Sequence, residues 1–212
     1  STMIWKGYSR QVIGVEPSSD MLAVALQKQN EQFSFVQGSG QKTGLEDESA
    51  DAVVCSQSFH WMEPNDTLKE VDRILKPGGV LATIDYDWPP VSLWPADQAF
   101  EEFFARIKNI EATVPEIQNT FVRYPKEQHL ANIRKSGYFR YAREALFANS
   151  ETCDCKRFFD LALSQGGLRM ILKKRPDLIA ADLQLFKKLI AETFGAGNFT
   201  VDFCYRMRVA VK

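Results

Sequence analysis

Residues 66–84 read DTLKEVDRILKPGGVLATI, and the fold turns on how they are parsed. Pro64-Asn65-Asp66 starts a helix in which Leu68, Val71, Ile74 and Leu75 fall on one face at helical spacing. Lys76-Pro77-Gly78-Gly79 stops it. Proline disfavours helical backbone at the residue before it, and glycine permits a sharp reversal. Val80-Leu81-Ala82-Thr83-Ile84 is then an almost continuously apolar strand.

The same grammar extends toward the N-terminus. Gln11-Val12-Ile13-Gly14-Val15-Glu16 is a short apolar run ending in an acid. Ser18 and Ser19 can cap the helix that follows, from about Asp20 to Gln29. Phe33–Val36 and Asp51–Ser56 are the next two strands. Apolar strands alternating with helices predict an α/β protein with a mostly parallel sheet covered on both faces. Such a sheet binds ligands at the carboxyl ends of its strands, so the residues after Val15, Val36, Cys55 and Ile84 are the ones to watch.

Beyond Tyr86 the pattern changes. Trp88-Pro89-Pro90 and Trp94-Pro95 interrupt it, and Phe100, Phe103, Phe104, Ile107 and Ile110 then mark an amphipathic helix. Tyr138–Phe147 reads as a strand, residues 155–194 as helical segments, and Phe199–Val211 as a β-rich run. The expected organisation is one domain over 1–212 with a helical cap inserted at 88–135.

Composition narrows the function. With a formal net charge of -1 and no long basic run, nothing draws the chain to nucleic acid. No stretch approaches the roughly 18 apolar residues of a membrane helix. Of the four cysteines, Cys153 and Cys155 form a C-x-C without the second pair that a structural zinc site needs, so no metal is expected. Cys55 reads as a small core residue, and free thiols point to a cytoplasmic setting.

Five places can carry chemistry. Glu16, at a strand end, can accept hydrogen bonds from both hydroxyls of a ribose, although an acid favoured by the helix dipole has the same pattern. Met21, one turn into the helix, can lie against an adenine or simply fill the core. Gly38-Ser39-Gly40 lets a ligand approach the backbone, with the Ser39 hydroxyl and Gly40 amide available to a base edge, or forms a plain turn. Ser56-Gln57-Ser58-Phe59-His60-Trp61 puts polar groups, an imidazole and two aromatics at a carboxyl strand end. His60 is the candidate base or acceptor-orienting group, its imidazole ionising near neutrality in the unperturbed state. Aromatics after the strands, Trp61 and Trp88 among them, can wall an acceptor or fill a seam. His129 sits in a polar helical stretch that suggests no role.

The order of these features resembles the small-molecule, type 11 branch of the class I S-adenosylmethionine-dependent methyltransferases, which includes trans-aconitate methyltransferase. Residues 12–22, VIGVEPSSDML, resemble the family's acidic second motif, and 38–41, GSGQ, fall where the family meets the adenine. Residues 45–53, LEDESADAV, and 73–81, RILKPGGVL, resemble two further family segments, the last being the most specific. The resemblance implies a Rossmann-like, doubly wound seven-stranded sheet. It implies S-adenosyl-L-methionine as cofactor, held by Glu16, Pro17, Met21, Ser39, Gly40, Ser56 and Gln57. His60, Trp61 and Trp88 would border a small-molecule acceptor methylated by in-line displacement.

The family's first motif, a strand followed by G-x-G-x-G, does not occur. The opening Ser1-Thr2-Met3-Ile4-Trp5 resembles the helix that follows that loop, so a further N-terminal segment of a few tens of residues is expected. The alternative function is a non-catalytic nucleotide-fold binding or regulatory protein. A nicotinamide-dependent oxidoreductase also fits Glu16, but the Lys76–Gly79 turn speaks against it.

Overall fold

The computed structural model describes residues 2–118 and 122–212. It forms two compact units. One takes residues 2–85, 123–145 and 206–212; the other takes 86–118, 122 and 146–205. The sequence reading of one domain with a cap at 88–135 differs from this. Residues 123–135 fold with the first unit, and the second draws most of its chain from 146–205. Residues 119–121 of the expected cap lie outside the described residues.

The chain begins with β1 (Val12–Glu16), α1 (Ser19–Leu26) and β2 (Phe33–Gln37). β1 and β2 pair in parallel, with Glu16 opposite Gln37 at their carboxyl ends. Ser18 caps α1 by accepting from the Met21 amide. Next come β3 (Ala50–Ser56), a 3-10 turn at Phe59–Trp61, α2 (Pro64–Ile74) and β4 (Leu75–Tyr86).

α2 has the signals expected of it. Pro64 occupies the first turn, and the Glu63 side chain accepts from the Asp66 amide. Leu68, Val71, Ile74 and Leu75 are buried, each burial contributing about 2 kcal/mol. Gly78 takes a positive φ of 79°, the reversal for which the glycine is needed. Strand β4 continues through this turn, and its pairing with β3 shifts register between Ala50 and Ala52. The core here joins Leu68, Val71, Leu75 and Leu81 with Cys55, Phe59, Ile133 and Ala210.

The remaining elements are α3 (Trp94–Thr113), α4 (His129–Ser136), β5 (Tyr141–Cys153), α5 (Cys155–Leu163), α6 (Gly166–Lys174), α7 (Ala180–Phe194) and β6 (Phe199–Val211). The core of the second unit is phenylalanine-rich: Phe100 packs edge-on to Phe158 and Phe186, and Phe103 stacks on Phe186.

The fold is α/β, as expected, but the strands differ from a single mostly parallel seven-stranded sheet. Among the described residues there are six, in a two-stranded sheet β1-β2 and a four-stranded sheet of order β3-β4-β6-β5. β6 runs antiparallel to β4: the Asp87 N–H donates to the Cys204 carbonyl, and the Lys212 N–H to that of Gly79. Among the described residues, no helix is long and apolar enough to cross a membrane.

Candidate functional site

β1 and β2, paired in parallel, and β3, parallel to β4, carry the predicted residues at their carboxyl ends. Glu16 closes β1, and one of its carboxylate oxygens accepts from the Ser18 amide at 3.0 Å. That bond fixes the carboxylate at the start of α1. Pro17 is exposed beside it. Met21 is 60% exposed on α1, so it is not the packed core residue that its sequence position also allowed.

The loop after β2 is tightly built. Ser39 and Lys42 exchange backbone hydrogen bonds of 2.9 and 3.1 Å. The small size of Gly38 is demanded by the protein itself, because a Cβ there would lie 2.8 Å from the Thr43 carbonyl oxygen. A Cβ on Gly40 would lie 2.3 Å from Met62 Sδ. Met62 directly follows Trp61, so the Gly38-Ser39-Gly40 loop abuts the end of the segment that carries His60. Glu70 of α2 clamps this loop, accepting from both the Thr43 amide (2.8 Å) and the Thr43 hydroxyl (2.6 Å). Hydrogen bonding from Arg73, reinforced by Thr43 against the cost of burial, lowers the Glu70 carboxyl to about 2.

At the end of β3, Gln57 takes a left-handed backbone with φ 51°, which is uncommon for a residue with a side chain. Its amide donates to the Ile84 carbonyl at 2.8 Å, tying the loop to β4, and its side-chain oxygen accepts from Lys126 Nζ at 3.1 Å. The 3-10 turn then buries Phe59 and His60 and leaves Trp61 45% exposed, with Arg123 over its ring at 4.6 Å. Cys55 is buried below, and burial together with the nearby charge of Asp85 pushes its thiol up to about 12, so it is an inert core residue as expected. Trp88 lies in the second unit, against Tyr86, Phe100 and Phe104.

His60 belongs to a cluster that the sequence reading did not assemble. Asp85, near the end of β4 and 2% exposed, is its centre. Asp85 Oδ1 faces His60 Nδ1 at 3.4 Å and Lys126 Nζ at 3.3 Å. Asp85 Oδ2 accepts from Arg208 Nη1 at 2.8 Å and faces His129 Nε2 at 3.8 Å. Arg208, itself buried, also donates from Nε to Glu144 at 2.8 Å and from Nη2 to the Lys126 carbonyl at 3.0 Å. Burial alone would raise the Asp85 carboxyl; the facing His60 Nδ1 and the charge of Lys126 outweigh it and lower it. His129 is fully buried against the edge of Phe59, and burial lowers its imidazole to about 4 despite the facing carboxylate, so it is neutral near pH 7.

His60, Asp85 and His129 each offer one donor atom, and the three atoms lie within 4.8 Å of one another. The surrounding charge disfavours a metal ion there. Arg208 and Lys126 already face the two oxygens of Asp85, and a divalent cation would have to stand beside both.

The first unit thus combines an acid at a parallel strand end, a glycine loop touching the next strand's loop, and an imidazole beside a buried acid. Residues 1–83 match the family model described as a methyltransferase domain. Over those residues the chain is similar to the methyltransferase domain family.

Known relatives agree. An uncharacterised methyltransferase of Schizosaccharomyces pombe is 43% identical over 75 residues, 35% of this chain and 30% of the relative. A Saccharomyces cerevisiae protein named as a probable S-adenosylmethionine-dependent methyltransferase is 30% identical over 95 residues, 42% of this chain and 33% of the relative. The match thus spans about a third of each curated relative's length. A solved structure from Anaeromyxobacter dehalogenans, carrying a provisional type II methyltransferase assignment, superposes with TM-score 0.70 at 16% identity. It covers 97% of this chain and 82% of that one, which shows a shared fold. The methyltransferase family match includes Glu16, Ser39, Gly40 and His60 but stops at residue 83, two short of Asp85.

Proposed function

We propose that this chain transfers a methyl group from S-adenosyl-L-methionine to a small-molecule acceptor by in-line displacement. The methyltransferase-domain match over residues 1–83 supports the cofactor, and the residues present fit it. The Ser18 amide presets the Glu16 carboxylate through one oxygen, leaving the other to meet the ribose hydroxyls. Exposed Met21 and Pro17 offer an apolar surface beside the adenine, whose edge would pair with Ser39 and Gly40. Ser56 and Gln57 border the methionine end, and His60 and Trp61 border the acceptor. The activated methyl is supplied by the cofactor, so these residues have chiefly to hold acceptor and methyl in line and keep water away.

The observation that carries this reading is the seating of the Gly40 loop against Met62. It sets the adenosine-side loop beside the one bearing His60, so a single elongated ligand can touch both. The net charge of -1 supports a small acceptor over nucleic acid.

Calorimetry with S-adenosylmethionine tests the proposal. Binding that weakens tenfold or more in Glu16→Ala, with the thermal midpoint unchanged, is the expected result. A folded protein that binds no cofactor overturns it.

A further inference from the structure

The methyl-transfer reading leaves open how His60 is prepared to accept a proton. An imidazole serves as a base only through a nitrogen that carries no hydrogen, and a neutral ring has one such nitrogen. Which one it is depends on what faces the other.

The cluster around Asp85 decides this. Among the described residues, the charged groups facing it are His60 from the 3-10 turn after β3, Lys126 from the turn before α4, His129 from α4, and Arg208 from β6 backed by Glu144 of β5, while the un-ionised Cys55 thiol of β3 lies close enough to feel its charge. Arg208 is permanently charged and holds Oδ2 at 2.8 Å, so the buried carboxyl is kept as a carboxylate. Oδ1 is left for Lys126 and for His60 Nδ1. A carboxylate oxygen can only accept, so the Nδ1 that faces it is favoured as a donor. Neutral His129 faces the other oxygen and adds no fixed charge.

We propose that Asp85 is a positioning residue for His60, holding the imidazole hydrogen on Nδ1 so that Nε2 is bare. This rests on the methyl-transfer reading for its use but not for its test. As the acceptor's electron pair forms the new bond to the methyl carbon, the methyl–sulfur bond breaks and its pair stays on sulfur. The acceptor's proton passes to Nε2, and Asp85 steadies the imidazolium that results. Arg208 and Lys126 set how strongly it does so, because each competes with His60 for the same carboxylate.

The chain has two histidines, so nitrogen NMR of the imidazoles is resolved by one variant, His129→Gln. The expected result is a neutral His60 with its hydrogen on Nδ1, and in Asp85→Asn a titration midpoint lowered about tenfold in proton affinity. Lys126→Met provides a second arm in which the buried carboxylate is untouched; removing the competing ammonium is expected to raise the midpoint. A neutral wild-type His60 with its hydrogen on Nε2, or a midpoint unmoved in a folded Asp85→Asn or in Lys126→Met, overturns the proposal. A failure to bind S-adenosylmethionine would strike the methyl-transfer reading alone and leave these spectra as they are.

Discussion

Arg208 Nη1 lies 2.8 Å from Asp85 Oδ2, with both side chains almost wholly buried and the two residues 123 positions apart in sequence. Breaking one side of such a pair leaves an uncompensated charge in a dry site, which typically costs about 3–5 kcal/mol. Arg208→Met is therefore expected to lose stability on that scale in urea unfolding. A loss under about 1 kcal/mol would mean that water reaches Asp85 when the guanidinium is gone.

His129 makes stability depend on pH. Its folded value, about 4, lies below the ordinary 6.5, so folding favours the neutral ring. The sign follows: the contribution is complete above about 6.5 and is lost as the pH falls toward 4, on the order of 3 kcal/mol in all. Unfolding free energies measured between pH 7 and 4 should fall more steeply for the wild type than for His129→Gln. Equal slopes would show that this ring does not resist protonation in the folded state.

Glu70 acts in the same direction over a lower range. Its carboxyl is ordinarily near 4.5 and sits at about 2 in the fold, so its contribution is present above 4.5 and is lost as the pH drops toward 2. Because the Arg73 side chain is 36% exposed, solvent screens part of the gain, and about 1–2 kcal/mol is expected. Glu70→Gln should therefore be less stable than wild type at pH 7 by that amount and nearly equal to it at pH 2. Cofactor affinity should fall as well, since the same carboxylate pins the loop that carries Ser39 and Gly40.

How much of this was legible depended on the range of the interaction. Strand ends and caps are local, so Glu16, the Ser18 cap, the Gly78 reversal and the limits of the last strand, Phe199–Val211, could be read from neighbours in sequence. The charge cluster could not. Asp85 follows an apolar strand much as Glu16 does, yet its partners come from three distant stretches. Arg208 alternates with apolar positions in β6, which hints that it points inward but not at what. His129 looked polar because its sequence neighbours are, while its burial comes from Phe59, 70 positions away. The sheet partners were not legible for a related reason: local pattern identifies strands, but which strands share a sheet is settled by pairing over the whole chain.

Two glycines in one loop should respond differently to alanine. At Gly38 the new Cβ meets the Thr43 backbone carbonyl at 2.8 Å, which can move only with the loop. At Gly40 it meets Met62 Sδ at 2.3 Å, part of a flexible side chain. Gly38→Ala is expected to cost about 1–3 kcal/mol in chemical denaturation. Gly40→Ala should cost less and be largely restored by Met62→Ala. The opposite ranking would show that the loop backbone yields more readily than the thioether.

The left-handed backbone at Gln57 sets the terms on which this region can vary. A side chain in that conformation costs about 1 kcal/mol or more, a cost that glycine does not carry. Gln57→Gly should therefore yield a hardier protein, while removing the amide oxygen that receives Lys126. Stability of the backbone and the tie from Lys126 to this loop then pull this one position in opposite directions. The glutamine here records which of the two has prevailed.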